Sequence, residues 1–236
     1  MQNPYLLLWL EAPLQSWGHD SRFGRRDSLD FPTKSGVLGL ICSARGAGGQ
    51  EQQWLAAWSN LDMQILAYAP TGQDKQALPR QPLLRDFHMV GSGYDEKDPW
   101  QNLLTPKTSE GKKSVGGGAK MTYRYYLQDM AYAVALQAPI DLIDEVVDAL
   151  QAPVWDLYLG RKNCAPGELI YQGRFEDAQQ ALDAGQKLAE QKQRNAIFRV
   201  LQGEHEGEVL SLNDVPTQFG ETKKYQDRRV TVQQME

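Results

Sequence analysis

The sequence predicts an α+β fold built on a split β-α-β, ferredoxin-like sheet, and three observations lead there. Apolar runs of strand length and helical stripes follow one another as β-α-β-β-(arm)-β-α-β, which is not the simple alternation of a doubly wound parallel sheet. Residues 90–121 contain little that can be buried and are dominated by Pro, Gly, Lys and Asp, so they read as an arm inserted between two strands. After about residue 160 the pattern becomes a series of short β-rich segments, as expected of a smaller second unit.

In chain order, residues 4–10, with the run "YLLLWL", form a buried first strand. "APLQSWGHDSRFGRRDSLDFPTKSG" is a loop rich in Gly, Pro and polar residues. A helix follows, with Ser35 as the expected N-cap and Val37, Leu38, Leu40 and Ile41 as its apolar stripe. "EQQWLAAWSN" adds a helical turn or two that places Trp54, Leu55 and Trp58 on one face. "DMQILAYA" is a strand, residues 70–82 a proline-bearing loop, and "LLRDFHMV" a strand with alternation. Past the arm, "MTYRYYLQDMAYAVALQ" is one long strand with a bulge expected near Asp129. "APIDLIDEVVDALQAP" is a helix whose stripe is Ile140, Ile143, Val146, Val147 and Leu150. "VWDLYLGRKNCAP" reads as a short strand and a turn, and "DAQQALDAGQKLAEQKQ" as a polar helix. "AIFRVLQG" and "GEVLSLND" read as a hairpin tipped by "EHEGE", with a last strand in "FGETKKYQDRRVTVQ". The organisation expected is a ferredoxin-like domain over 1–88 and 122–160, an arm over 89–121 inserted in it, and a small C-terminal β-rich domain over 161–236.

Composition narrows the function. The 236 residues are 41% apolar, enough for a real core, and carry a net charge of −5 with a pI of about 5.3. Nucleic-acid-binding domains are more often basic, so the whole surface is not a polyanion partner. Local patches act over about 8 Å, however, and charge here is sorted along the chain. Lys107, Lys112, Lys113, Lys120 and Arg124 stand against Glu110 alone within 107–124, whereas residues 125–160 hold six acids and no Lys or Arg. Sorting of this kind lets an acidic protein hold a polyanion at one edge. Cys42, Cys164 and the histidines His19, His88 and His205 are scattered, which implies no disulfide framework, no zinc site and no cofactor. The N-terminal apolar run lacks a basic flank and a cleavage site and is too short to span a bilayer, so a cytoplasmic protein with no membrane partner is expected.

Several short stretches carry candidate chemistry. "FPTKSGVLGL" opens a helix with Lys34 and Ser35 but lacks the glycines of a Walker A loop. Free N–H groups at that helix start, with Lys34 beside them and Gly36 and Gly39 admitting a close backbone, suit a phosphate; the alternative is an ordinary capped helix with a solvated lysine. "TYRYYL" puts Tyr123 and Tyr125 on one strand face and Arg124 and Tyr126 on the other, where aromatics on an open face can stack unpaired bases. Tyrosines also favour half-buried strands for their own sake. Lys112, Lys113 and Lys120 in a glycine-rich arm could close on phosphates or simply be solvated, and Arg161 and Lys162 follow a glycine at a strand end as a second basic turn. His88, near Arg85, Lys120 and Tyr123, is a candidate general acid or base for metal-free RNA cleavage, or else a hydrogen-bonding contact. No Ser-His-Asp order and no paired-carboxylate motif stands out.

Taken together, "LLLWLEAPLQSWG", "DFPTKSGVLGLI", "LLRDFHMV", "YRYYLQDMAYAVAL" and "YLGRKNCAP", in this order, resemble the CasD family of RAMP-type subunits of the type I-E CRISPR surveillance complex, Cascade. The resemblance covers most of residues 4–170 and continues weakly to "VPTQFGETKKY". It implies a modified RNA-recognition fold with a thumb at 89–121, a small C-terminal domain, and a grip on the 5′ handle of the CRISPR RNA. The implied neighbours are the large PAM-reading subunit and the last backbone subunit, with target DNA engaged only indirectly. Carried over by motif, the handle contacts are Gln15, Trp17 and Gly18, then Lys34, Ser35 and Gly36, then Arg85 and His88, Arg124 and Tyr125, and Tyr158, Arg161 and Lys162. The lysines Lys112, Lys113 and Lys120 and Tyr123 join them from the arm and its strand. The type I-E members are implied to be non-catalytic, whereas type I-C relatives cut RNA, which makes a metal-independent endoribonuclease the alternative.

Overall fold

The computed structural model describes residues 3–19, 21, 24–90, 97–100, 108, 110–112 and 120–235. Most of the arm, Lys113 and the side chain of Lys120 lie outside them. In chain order the elements are β1 (Tyr5–Gln15), β2 (Arg25–Arg26), α1 (Lys34–Ala44), α2 (Gln52–Ala56), β3 (Met63–Pro70), β4 (Leu84–Val90) and β5 (Lys120–Gln137). They continue as α3 (Ile143–Gln151), β6 (Tyr171–Phe175), α4 (Ala178–Gln191), β7 (Arg194–Gln202), β8 (Glu208–Gln218) and β9 (Lys224–Gln234).

The sheet runs β6-β1-β5-β3-β7-β9-β8, with β2 and β4 paired to the first half of β5. Its centre is β1 against β5, in one register from Tyr5 opposite Gln137 to Gln15 opposite Leu127. β1 and residues 130–136 of β5 are apolar at nearly every position because both faces of the sheet are covered there. Leu6, Leu8, Leu10, Tyr132, Val134 and Leu136 meet the layer of α1, α2 and α3 through Leu38, Ile41, Trp54, Leu55 and Ile143. On the other face, Leu7, Trp9, Ala131, Ala133 and Ala135 meet Ala181, Leu182 and Ala189 of α4. That approach is close: a Cβ on Gly185 would lie 2.6 Å from the Cβ of Ala133. The architecture is the mixed, ferredoxin-like RAMP type that the sequence predicts. It differs from an RNA-recognition module in having no bare face on its central sheet.

Four local expectations are corrected. The helix α1 is capped by Thr33, whose hydroxyl accepts from the N–H of Gly36, and not by Ser35, which lies inside the helix. Asp129 takes a left-handed backbone (φ 49) without shifting the β1–β5 register, so the strand is kinked there and not bulged. Arg194 holds the kink, donating to the carbonyl and carboxylate of Asp129 and to Glu11. Residues 154–159 form no strand, because their backbone bonds go sideways: Val154 donates to Ala44 and the carbonyl of Leu159 accepts from Ser16. Lastly, β7 and β8 do not form a hairpin; β9 lies between them and pairs with both. The connecting loop crosses β9 and is pinned there by Thr231, which accepts from the N–H of His205 and donates to the carbonyl of Gly203. The strands of the region 161–236 thus join the main sheet, β6 through β1 and β7 through β3.

Candidate nucleic-acid interface

The far end of β8 curls over the helical layer. Gln52 donates to Gln218 at 2.6 Å, and the N–H of Phe219 donates to the carbonyl of Gln50 at 2.9 Å. This leaves a cleft of about 580 Å³ along α1, walled by the β1–β2 loop, residues 158–161 and the β8–β9 turn. Its floor is Ser35, Gly36, Gly39 and Ser43 of α1, and Arg26, Arg161 and Lys223 face it against a single acid, Glu51. Tyr158, Phe219 and Tyr225 supply aromatic surface, and Trp17, only 1% exposed, backs the floor.

The local sequence explains why each wall stands where it does. Gly160 has φ +101, and a Cβ there would come within 1.7 Å of the carbonyl oxygen of Ser16, so only glycine lets the "LGRK" turn lie against the end of β1. Arg161 then donates to the carbonyls of Tyr125 (2.9 Å) and Arg26 (2.8 Å) while its guanidinium lies over the ring of Tyr126 at 4.6 Å. It ties β2 and β5 to the cleft edge and still brings its charge there. Gly36 admits Trp17: any Cβ would lie 2.9 Å from the indole.

The motif residues separate into groups. Trp17, Gly18, Ser35, Gly36, Tyr158 and Arg161 line the cleft together, and Lys162 is exposed beside it in sequence. Gln15 is fully buried: its amide donates to Leu10 and Met130 and accepts from the indole N–H of Trp17, so it positions the tryptophan. Lys34 is also fully buried, and its ammonium donates to the carbonyls of Ser59 and Leu61. It points away from any phosphate held at the helix start, which corrects the reading of Lys34 as a phosphate ligand. Burial and the nearby Arg228 lower its pKa to about 8.

A second group lies on the β4–β5 ribbon. Register places Arg85 opposite Tyr125 and Phe87 opposite Tyr123, with the rings of Phe87 and Tyr123 5.2 Å apart. Arg85 lies over Tyr123 and Arg25 over Tyr125, so this face is an exposed array of aromatic and cationic groups. Tyr123 and Tyr125 share a face, as the strand period predicts, and Arg124 takes the other with His88, which pairs with Asp86. Lys112 is exposed and pairs with Glu110 at 3.1 Å. Sequence reading missed Arg26, Lys223, Phe219 and Tyr225 as cleft residues. The signal for the last three was the "FGETKKY" turn, which stands far from the other motifs in sequence and reaches them only through the curl of β8.

A sheet of this plan with a cationic, glycine-floored cleft at one edge defines a RAMP-type protein. Residues 5–231 match the family model described as CRISPR-associated protein (Cas_Cas5), and the chain belongs to that family. A curated relative is the CRISPR system Cascade subunit CasD of Escherichia coli (strain K12), 28% identical over 184 residues, 75% of each chain. A solved chain described as part of a CRISPR RNA-guided surveillance complex has a TM-score of 0.70 at 26% identity, over 98% of this chain and 90% of that one. A further crystal structure, of a Cas protein, shares the fold at a TM-score of 0.53 and 23% identity, over 98% of this chain and 94% of that one. Among the described residues no helix is long and apolar enough to cross a membrane.

Proposed function

We propose that this chain is a non-catalytic, RNA-binding subunit of a Cascade-type CRISPR ribonucleoprotein, and that it holds the single-stranded 5′ handle of the CRISPR RNA in the cleft along α1. The observation that carries this reading is the local reversal of charge: an acidic chain gathers Arg26, Arg161 and Lys223 around a glycine floor with aromatic walls. Single strands are held in this way, by cations on the phosphates and π-faces under the bases. A second cationic and aromatic surface, Arg85, Tyr123, Arg25 and Tyr125, lies on the β4–β5 ribbon, on the face opposite to Arg26. In the complex the chain would contact the large PAM-reading subunit and the terminal backbone subunit, and guide–DNA pairing would read the target.

The test is to incubate the full-length chain with labelled CRISPR repeat RNA in EDTA and run native and denaturing gels in parallel. A shifted but intact RNA is the expected outcome. A product with a defined 5′ end would replace this reading by the endoribonuclease one and make the His88–Asp86 pair its first catalytic candidate.

A further inference from the structure

The chain leaves α3 through an exposed apolar run. Ala152, Pro153, Val154 and Trp155 are consecutive and all exposed, Val154 at 64% and Trp155 at 49%. Surface runs of this length are uncommon without a function. The run is also held in place. The N–H of Val154 donates to the carbonyl of Ala44 at 2.9 Å. Gly46 packs against Val154, where a Cβ would come within 2.8 Å of its Cγ1, and Gly48 packs against Trp155, where a Cβ would lie 3.5 Å from the indole. A large aromatic fixed in this way loses little conformational entropy when a partner covers it.

Acids flank the run on both sides. Asp141, Asp144, Glu145 and Asp148 are exposed and spaced as one stripe along α3, and Asp156 follows Trp155 directly. Arg174 answers Asp144 and Arg45 answers Glu145. Asp141, Asp148 and Asp156 form no ion pair among the described residues. Asp148 also sits in the last turn of α3, which holds no basic residue, so its charge adds to the negative end of the helix dipole. A phosphate chain passing over Trp155 would run beside these acids, whereas the lysines and arginines of a protein would be drawn to them. Resting on the reading of this chain as a subunit of a Cascade-type ribonucleoprotein, we infer that Val154 and Trp155 anchor a protein–protein interface. The segment of the neighbouring subunit seated on them carries basic side chains around an apolar one. An aromatic anchor within a charged, complementary rim is the usual anatomy of such contacts.

The experiment is a competition during assembly. Equal amounts of wild-type and variant full-length chain, distinguished by their tags, are mixed with CRISPR RNA and limiting amounts of the other subunits. The purified complex should hold about ten wild-type chains for each Trp155→Ala chain, the scale of one lost aromatic anchor. Asp148→Lys with Asp156→Lys should be excluded in the same direction. The RNA affinity of the free chain separates the protein partner from a longer RNA track. It should stay within about twofold in Trp155→Ala. Reversing the two acidic charges should leave it unchanged or raise it, opposite in sign to the effect on assembly. Equal incorporation of either variant overturns the inference. So does a Trp155→Ala chain that loses RNA affinity as much as incorporation, which would carry the RNA past Gly48 onto the indole. Should Trp155→Ala fail to fold, the surface charge reversal decides alone. A wild-type chain that does not enter the complex at all brings down the subunit reading itself, an outcome distinct from equal incorporation.

Discussion

Lys34, buried at the start of α1, and Gly160, in the turn at the cleft edge, are each determined by what surrounds them. A Lys ammonium between two carbonyls in a buried site is held as a donor and disfavoured as a charge, and the neighbouring Arg228 adds repulsion. Its pKa therefore falls from 10.5 in the free side chain to about 8 in the fold. The folded state gives up this proton first, so the unfolded state binds more protons between pH 8 and 10.5, and stability gains with pH across that window. Below pH 8 both states are protonated and the contribution is flat. Urea unfolding of wild type and Lys34→Met at a series of pH values should show their difference rising toward the wild type by about 3 kcal/mol through the window. A difference that is flat with pH would mean that the ammonium is solvated. At Gly160, alanine adds a left-handed strain and a clash with the carbonyl of Ser16. Gly160→Ala should cost about 3 kcal/mol or more, measured by thermal or urea melting, and should weaken RNA binding because Arg161 moves with the turn.

At the scale of elements, the device that presents α1 to the cleft is a clamp from the C-terminal strands. Asp214 of β8 accepts from the backbone N–H of Lys34, the first residue of the helix, and takes two bonds from Arg228 of β9 at 2.7 and 2.9 Å. Asp214 and Arg228 are both buried, and Lys34 is a second buried cation beside them. Removing the carboxylate strands Arg228 and Lys34 together. Asp214→Ala should therefore cost about 3–5 kcal/mol in urea unfolding, and the double change Asp214→Ala with Arg228→Leu should cost less than Asp214→Ala alone. A double variant no more stable than the single one would show that packing, not charge, sets the penalty. This clamp also marks the limit of what the sequence declared. The strands of β1, β3 and β5 and the stripes of α1 and α3 were legible because each is a continuous apolar pattern. The pairing of β9 between β7 and β8 was not, because nothing local to "AIFRVLQG" and "GEVLSLND" says that Thr231 will pin the loop between them. In the same way Ser35 and Thr33 are both N-cap types, with serine the slightly better one, and only the start of the helix decides for Thr33.

For the whole molecule, the question is how a chain of net charge −5 binds a polyanion. The acids of α3, Asp144, Glu145 and Asp148, lie on a helix that packs on the sheet away from the β4–β5 ribbon, whereas Arg25, Arg26 and Arg161 gather where β2 meets β5. The cleft residues came from four separated segments, and the sequence exposed those that sit in recognisable motifs, Trp17, Gly36 and Arg161 among them. It hid Arg26 and Lys223, each one of a pair of adjacent cations in a polar stretch, which gain meaning only when β8 folds over α1. Those two give the cleanest test, because both are exposed and neither side chain forms an ion pair among the described residues. Each phosphate contact to a single strand contributes about 0.7 to the slope of log K against log salt. Arg26→Ala with Lys223→Ala should therefore lower affinity for a single-stranded CRISPR RNA handle and reduce that slope by about 1.4, while the melting temperature stays where it is. Lys112→Ala provides the comparison from the arm: its ammonium already pairs with Glu110, so it should change the slope by less than either cleft cation. A titration of fluorescence anisotropy between 50 and 300 mM salt reads all three, those concentrations being roughly the range in which such slopes are measurable. An unchanged slope in the double cleft variant, with a reduced one in Lys112→Ala, would move the phosphate track from the cleft to the arm.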